Sequence, residues 1–342
     1  MSKSKQRPVG GGSSGSRSSV GGSSGGRSSG GGPSGGRVSR RSYLGCLAAA
    51  GVGGVAGCLG LGSDSVSVLS AGSLAHTFED HIGPAFEDET DIAVHGEYYG
   101  ANAVMRMVED RTKHPDVIVS ADATLLRDRL YGTFTDWDVE FATNSLGIGY
   151  NDETTFGRQL EDGEPWYELA VETEKGDLSI GDPNLDPLGY RAVQAFELAA
   201  DEHGLEGFRE AMRERVYEEP EEPQMMAGVE SGARAGAIVY RNMAVDHGMP
   251  FVEFPDAYNF ANPALADHYA TVEFTTDEDG YPAVGRPILY NATVHDEADE
   301  PDAGRRLVQF LVDNPDLLVD AGLTVGETIP RATGTPPEGI AI

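Results

Sequence analysis

The period with which apolar and polar residues alternate changes several times along this chain. The alternating run 66–70 predicts a strand that ends in the small residues Ala71, Gly72 and Ser73. Apolar residues then recur at positions 74, 78, 82 and 86, which is the spacing of an amphipathic helix. A strand, a short Gly-Ser turn and a helix in this order are typical of an α/β domain.

The same unit recurs twice. The run 92–99 predicts a strand that ends at Gly100, Ala101 and Asn102, and the run 116–119 predicts one that ends at Ser120. A helix is expected after each strand. The carboxyl ends of parallel strands meet at one edge of a sheet, where open α/β sheets bind ligands. The three strand ends therefore predict a binding site at this edge.

Two strand-like runs, 141–150 and 286–294, are candidates for crossovers between two lobes. They predict a first lobe made of residues 66–141 and 286–342 and a second lobe made of residues 142–285. After the second crossover, the chain is expected to return to the first lobe with two further helices.

The second lobe is expected to contain a strand at 178–182, a segment 183–191 that leads into an amphipathic helix to about Asp201, a helix at 224–231 and a strand that ends at Tyr240. The acidic run 218–222 is expected to be a solvated loop.

The first 57 residues resemble a tail followed by an export signal. Arg40 and Arg41 precede an Ala/Gly-rich apolar run, which is typical of a twin-arginine signal, and a small-residue triplet before Cys58 is typical of a lipoprotein cleavage site. We expect a mature protein that begins at lipidated Cys58, with 58–65 as its linker. The alternative is a basic disordered tail with a chance apolar run.

The charge is strongly acidic. The chain has a formal net charge of −31; all 56 acidic residues follow residue 63, whereas eight of the 25 basic residues precede it, which leaves −39 on residues 64–342. Such a surface is suited to high salt, which screens its self-repulsion. It also argues against nucleic acid as a partner, because nucleic-acid binding needs a basic face.

Small hydroxyl side chains and backbone N–H groups at helix starts can bind an oxyanion without a cationic side chain. The candidates are the hydroxyl groups of Ser73 and Ser120 and the backbone of Leu188 and Gly189. Asp186 could accept a hydrogen bond from a protonated anion such as phosphate, so phosphate stays open. The structural alternative is that each serine only caps its helix.

Several of these segments together resemble the archaeal molybdate/tungstate-binding lipoproteins of ABC importers. The matching segments are Ala71-Gly72-Ser73-Leu74, Ser120-Ala121-Asp122, Asp186-Pro187-Leu188-Gly189-Tyr190-Arg191 and Tyr240. The resemblance implies a type II periplasmic-binding-protein fold, in which two α/β lobes, each a mixed and mostly parallel sheet flanked by helices, close over one oxyanion. It further implies that Ser73 and Ser120 donate hydrogen bonds, that Tyr240 contacts the ligand, and that Asp186 approaches the metal of the anion.

Two positions depart from the family pattern. Gly100-Ala101 replaces the usual Gly-Ser, so Asn102 or backbone N–H groups would have to replace the missing hydroxyl. Val239 stands where the tungstate-type branch carries a second metal-ligating Glu. We therefore expect a mainly hydrogen-bonded, four-coordinate anion with Asp186 either adjacent to the metal or weakly ligating it.

The sequence thus favours a monomeric lipoprotein, anchored on the extracellular face of the cell membrane, that passes molybdate or tungstate to a permease and its ATPase. Sulfate, phosphate or a small carboxylate are alternative ligands. An exported enzyme or adhesion module on the same scaffold is the alternative of a different class. No motif indicates catalysis, and the histidine spacing is not that of a metal site, so no cofactor is expected.

Overall fold

The computed structural model describes residues 64–342. Arg40, Arg41, Cys58 and the linker up to residue 63 lie outside the described residues, so the predicted export signal and lipid anchor remain predictions.

The described chain alternates strands and helices. The strands are β1 Ser65–Ala71, β2 Ala93–Tyr99, β3 Val117–Ser120, β4 Trp137–Thr143, β5 Leu146–Tyr150, β6 Leu178–Gly181, β7 Tyr217–Glu219, β8 Gly236–Tyr240, β9 Phe251–Glu253, β10 Glu273–Thr275, β11 Pro282–Val284, β12 Leu289–Val294 and β13 Arg331–Gly334. The helices are α1 Gly83–Thr90, α2 Ala101–Glu109, α3 Ala123–Leu130, α4 Thr155–Glu161, α5 Trp166–Ala170, α6 Pro187–His203, α7 Phe208–Arg215, α8 Glu222–Glu230, α9 Arg241–Asp246, α10 Ala266–Tyr269, α11 Pro301–Asp313 and α12 Pro315–Asp320.

The strands form two large sheets and one hairpin. The first sheet has the order β13-β4-β12-β3-β1-β2, the second has the order β7-β6-β8-β5-β9, and β10 pairs with β11. Helices flank both sheets, so the two-lobed α/β fold is confirmed. The exact lobe boundaries at residues 142 and 285 stay a prediction.

The sheets are less parallel than expected. Of the nine strand pairings in the two large sheets, four are parallel: β1 with β2 and β3, and β6 with β7 and β8. The antiparallel pairings come from strands that lead into or out of the other sheet, such as β4, β5 and β12. These strands enter their sheets in the reverse direction, and periodicity along the sequence does not report strand direction.

The predicted strand 141–150 is in fact two strands. Residues up to Thr143 belong to β4 in the first sheet, and residues from Leu146 belong to β5 in the second. Asn144 and Ser145 form the connection between the sheets, and both are buried. The chain returns to the first sheet through Ile288 and β12, which fits the second predicted crossover.

The segment after β1 begins with a tight 3₁₀ turn, Gly72–Leu74, and a π-helical turn, Thr77–Ile82, before α1. Its apolar residues Leu74, Phe78, Ile82 and Phe86 are all buried. This turn presents Gly72 and Ser73 to the cleft between the sheets. Among residues 64–342, no helix is both long and apolar enough to cross a membrane.

Candidate functional site

The N-termini of four helices meet between the two sheets. Helices α2 and α3 begin at the carboxyl ends of β2 and β3 in the first sheet, whereas α6 and α8 follow β6 and β7 in the second. Residues at these helix starts are in contact across the cleft: Gly100, the N-cap of α2, lies against Leu185 and Asp186, and Glu222, the first residue of α8, lies against Gly72 in the turn after β1. A helix N-terminus carries a partial positive charge and unpaired N–H groups.

Asp186 is the N-cap of α6. Its Oδ1 accepts a hydrogen bond from the backbone N–H of Leu188 at 2.9 Å, and Pro187 occupies the first helical position. Its side chain is 5% exposed. The Gly189 backbone packs so closely against Gly181 that any Cβ at Gly189 would overlap the Gly181 carbonyl. The structure thus places the predicted site residues Asp186, Leu188 and Gly189 at the cleft. The backbone N–H of Leu188, however, already donates its hydrogen bond to Asp186.

Glu222 lies beside Asp186 and was not predicted. It is the first residue of α8, and its side chain is only 7% exposed. The expectation of a solvated loop at 218–222 is therefore wrong for this residue, whereas Glu221 is exposed. Burial raises the pKa of both carboxyl groups, and the neighbouring Asp186 raises the pKa of Glu222 further. Two buried carboxyl groups in contact cannot both ionise without a compensating partner.

A buried cation connects the two lobes next to this pair. Arg191 on α6 donates hydrogen bonds to the Ala121 carbonyl at 3.0 Å, the Tyr240 hydroxyl at 2.8 Å and Asp122 Oδ2 at 2.9 Å. Asp122 also accepts a bond from the Tyr190 hydroxyl at 2.7 Å. Tyr240, a predicted ligand contact, is therefore held by Arg191 at the end of β8, and the ion pair closes the cleft from one side.

The hydroxyl group of Ser120 is used locally. It donates to the Asp122 carbonyl at 2.8 Å and accepts from the Asp122 N–H at 3.0 Å. A serine hydroxyl has one proton to donate, and Ser120 donates it to a backbone carbonyl within its own turn. The N-cap of α3 is Asp122, whose side chain accepts from the N–H groups of Thr124 and Leu125, so Ser120 does not cap this helix. A hydrogen bond from Ser120 to an anion stays a prediction.

Ser73 belongs to a network that spans both lobes. Its Oγ lies 3.2 Å from the Tyr290 hydroxyl, and Tyr290 accepts a hydrogen bond from Asn144 Nδ2 at 3.2 Å. Asn144 also donates to Asn242 Oδ1 at 2.8 Å, and Asn242 donates to the Ser73 carbonyl at 2.6 Å. The network fixes the hydroxyl of Ser73 at the floor of the cleft, and burial raises the pKa of Tyr290.

The start of α2 is occupied by the other lobe. The N–H groups of Asn102 and Ala103 donate to the Leu185 carbonyl at 3.1 and 3.3 Å, and Asn102 Nδ2 lies 3.4 Å from the Asn184 carbonyl. Gly100 is required here, since any side chain would overlap the Leu185 carbonyl. Gly100, Ala101 and Asn102 thus form an interlobe contact at the site, and a direct bond from them to an anion stays a prediction.

Sequence reasoning missed four polar residues of the site, which lie outside the segments that it had singled out as ligand contacts: Asn144, Glu222, Asn242 and Tyr290. Asn144 lies in the crossover and Tyr290 inside a strand, so neither follows a recognisable turn pattern. For Glu222, the available signal was Pro223, because proline in the first turn marks a helix start and hence a position at the cleft edge.

The chain is similar to known proteins over most of its length. A family model described as bacterial extracellular solute-binding protein matches residues 66–322. An uncharacterised solute-binding protein of Halobacterium salinarum is 50% identical over 303 residues, which are 89% of this chain and 97% of that protein. A molybdate/tungstate-binding protein of Thermococcus kodakarensis is 27% identical over 296 residues, covering 75% of this chain and 83% of the relative.

Among solved structures, the periplasmic molybdate-binding protein of Azotobacter vinelandii superposes with a TM-score of 0.58 at 15% sequence identity. The match covers 77% of this chain and 100% of that chain. At this identity the likeness concerns the fold, and it supports the assignment of two α/β lobes with a cleft between them.

Proposed function

The chain belongs to the family of bacterial extracellular solute-binding proteins, and from that membership we propose that it captures molybdate or tungstate between its two lobes and delivers the anion to an ABC permease driven by an ATPase. A relative from Thermococcus kodakarensis is named for these two anions. Molybdate and tungstate share their charge and tetrahedral shape, so one set of donors suits both.

The observation that carries this proposal is the convergence of the N-termini of α2, α3, α6 and α8 from both lobes. Helix N-termini favour negative charge and bind it through backbone N–H groups. Arg191 is buried at the cleft, and its hydrogen bonds go to protein groups. An anion at this position would be held by helix dipoles and hydroxyl groups, which suits a ligand that is bound reversibly and then released.

Ser73 is the hydroxyl group best prepared to contact the anion. Because Tyr290 accepts a hydrogen bond from Asn144, its own proton is available for Ser73 Oγ. The proton of Ser73 is then left to point into the cleft. Ser73, Asp186 and the start of α6 at Leu188 and Gly189 are the contacts that we propose for the anion, with Ser120, Tyr240 and the Gly100–Asn102 turn around them.

The location follows from the family and from the N-terminal signal. The family is extracellular, and we propose that the twin-arginine pair Arg40-Arg41 exports the protein and that Cys58 carries the lipid anchor of a monomer. Detergent phase partition of the protein from cell membranes checks the anchor. Recovery of the whole population in the aqueous phase would contradict it.

Calorimetric titration of the purified protein in molar KCl tests the ligand. Molybdate, tungstate, sulfate and phosphate are added separately, and we expect tight binding of the first two with little heat from the others. Sulfate would leave donors spaced for longer metal–oxygen bonds unsatisfied, which costs about 1–3 kcal/mol for each buried group. Preferential binding of sulfate or phosphate would move the assignment to that anion, and no binding of any of the four would overturn it.

A further inference from the structure

A second cavity lies at the two chain crossovers between the large sheets. Its volume is about 670 Å³, which is within the range of sites that bind small molecules. Thr143, the last residue of β4, lines the cavity beside the first crossover, and Pro287 and Leu289 line it on either side of Ile288 in the second. None of the residues proposed to contact the anion lines it. The cavity therefore adjoins the two segments through which any change in the angle between the lobes has to pass.

Residues from both lobes line this cavity. Thr124 of α3 lines it on the side of the first sheet, whereas Ala266 and Ala270 lie in α10 and directly after it, in the chain segment between the two crossovers. Asp122 also lines the cavity, and its carboxylate pairs with Arg191 of the other lobe. A molecule in this cavity would therefore contact both lobes where they are held together.

Arg286 is a cation at this cavity that has no partner in the described part of the chain. No ion pair among residues 64–342 includes it, and it is exposed. The other arginines of the lining are paired, Arg127 with Asp138 and Glu140, and Arg331 with Glu140. A guanidinium group without a partner can bind a carboxylate through two parallel hydrogen bonds.

The rest of the lining suits the body of an organic molecule. Apolar side chains, among them Val284, Leu289 and Ile329, cover much of the wall. An inorganic oxyanion has no apolar surface to place against them, whereas an organic acid gains free energy by burying its hydrocarbon part there. The lining thus favours a different class of ligand from that proposed for the cleft.

We propose that this cavity is a second ligand site, which binds a small organic carboxylate with its charged end at Arg286 and its hydrocarbon part against the apolar wall. A ligand that contacts both lobes in the described arrangement favours this arrangement, in which the helix N-termini meet across the cleft. Occupancy of the cavity therefore strengthens anion binding in the cleft. This coupling rests on the proposed function, but the site itself does not.

Calorimetric titration of the purified protein in molar KCl, without any oxyanion, tests the site. The probes are hexanoate, 3-phenylpropanoate, the uncharged amide 3-phenylpropanamide and the cation 3-phenylpropylammonium. Each is titrated into the unmodified protein, into Arg286→Gln and into the control Arg306→Gln. Arg306 on α11 is also exposed, but it does not line this cavity.

We expect the carboxylates to bind and Arg286→Gln to weaken their binding by about tenfold or more, the effect of losing one charged hydrogen-bonded contact. The amide should bind more weakly than 3-phenylpropanoate and should not respond to Arg286→Gln, and Arg306→Gln should behave as the unmodified protein. Binding of neither carboxylate, or equal binding to Arg286→Gln, would overturn the inference. Preference for the ammonium probe would also overturn it, since that would assign the site to Asp267, an exposed acid in the same lining.

A second pair of variants tests where the carboxylate binds. Ala266→Phe places a large side chain in the cavity, whereas the control Ala264→Phe changes an alanine of the preceding turn that does not line it. Both alanines are exposed, so both variants should fold and melt as the unmodified protein does. We expect Ala266→Phe alone to weaken the binding of 3-phenylpropanoate and of its amide. Full binding to Ala266→Phe would overturn the assignment to this cavity.

The coupling is measured by titrating molybdate with and without saturating 3-phenylpropanoate. We expect molybdate to bind about fivefold more tightly when the carboxylate is present, and the carboxylate to gain the same factor from molybdate. An unchanged affinity for molybdate would overturn the coupling. Failure of molybdate to bind in either condition would overturn the proposed function and not the second site.

Discussion

At the scale of single residues, the cleft is edged by ionisable groups whose burial differs. Asp246 at the end of α9 lies near His247, whose ring is 4.7 Å from that of His76 on the segment after β1. Burial raises the pKa of Asp246 to about 6, although the nearby histidines lower it. The carboxyl group therefore favours its protonated form in the folded protein more than it does in an unfolded chain.

Asp246→Asn should raise the melting temperature at pH 8 more than at pH 4. The folded-state pKa of about 6 lies above the unfolded value of about 3.9. Between these values the folded state binds more protons, so stability falls as pH rises through this window, and the cost is fully present above pH 6. Thermal melts at both pH values check this against the exposed control Asp88→Asn. An equal shift at both pH values would contradict it.

At the scale of elements, α6 connects the site to the second sheet. Asp186 caps its N-terminus, Pro187 begins it, and Gly189 lets its first turn approach the backbone at Gly181 and Asp182. This close approach fixes where the carboxyl group of Asp186 stands, because the side chain has few rotamers once its oxygen binds the N–H of Leu188. The same helix carries Arg191, so one element positions both the buried carboxyl group of Asp186 and the buried guanidinium group at the cleft.

Gly189→Ala should destabilise the protein by about 1–3 kcal/mol, since the new methyl group meets backbone atoms that cannot move aside. It should also weaken anion binding, because α6 must shift and Asp186 moves with it. Gly228→Ala on α8 is the matched control. Its methyl group would meet only the flexible side chain of Arg234, and alanine stabilises a helix interior by about 0.5–1 kcal/mol. Denaturant unfolding and calorimetry measure both effects; equal stability of the two variants would contradict the packing argument.

At the scale of the whole molecule, acidic charge dominates the surface. Residues 64–342 carry a formal net charge of −39. Several of their arginines form ion pairs within the structure. Arg127 binds the buried carboxylates of Asp138 and Glu140, and Arg129 binds Glu109. The positive charges thus hold segments together locally and leave the outer acidic groups to repel one another.

The melting temperature should rise with KCl, most steeply between 0.1 and 1 M. Over this range the screening length falls from about 10 to 3 Å, and repulsion among the exposed acids is largely removed. Thermal melts across a KCl series check this. If the melting temperature continues to rise linearly with KCl above 1 M, that part of the rise would reflect general salting-out and not charge screening. A melting temperature independent of salt below 1 M would contradict the proposed adaptation to high salt.

The sequence by itself determined the elements that follow from local patterns. Periodicity located the three strand ends at Ser73, Gly100 and Ser120, and it placed a helix after the strand 178–182, where α6 lies, since short-range backbone bonding depends on neighbours in the chain. The family followed from the same motifs, and the comparisons confirm it.

Only the tertiary structure decided which polar groups meet. Ser73 and Tyr290 are 217 positions apart, and nothing local to either predicts their hydrogen bond. Glu222 looked like part of a solvated acidic loop until the fold turned it towards Asp186, and the proton of Ser120 proved to be used within its own turn. These outcomes depend on how two lobes approach, because burial and long-range hydrogen bonds arise only when distant segments are packed together.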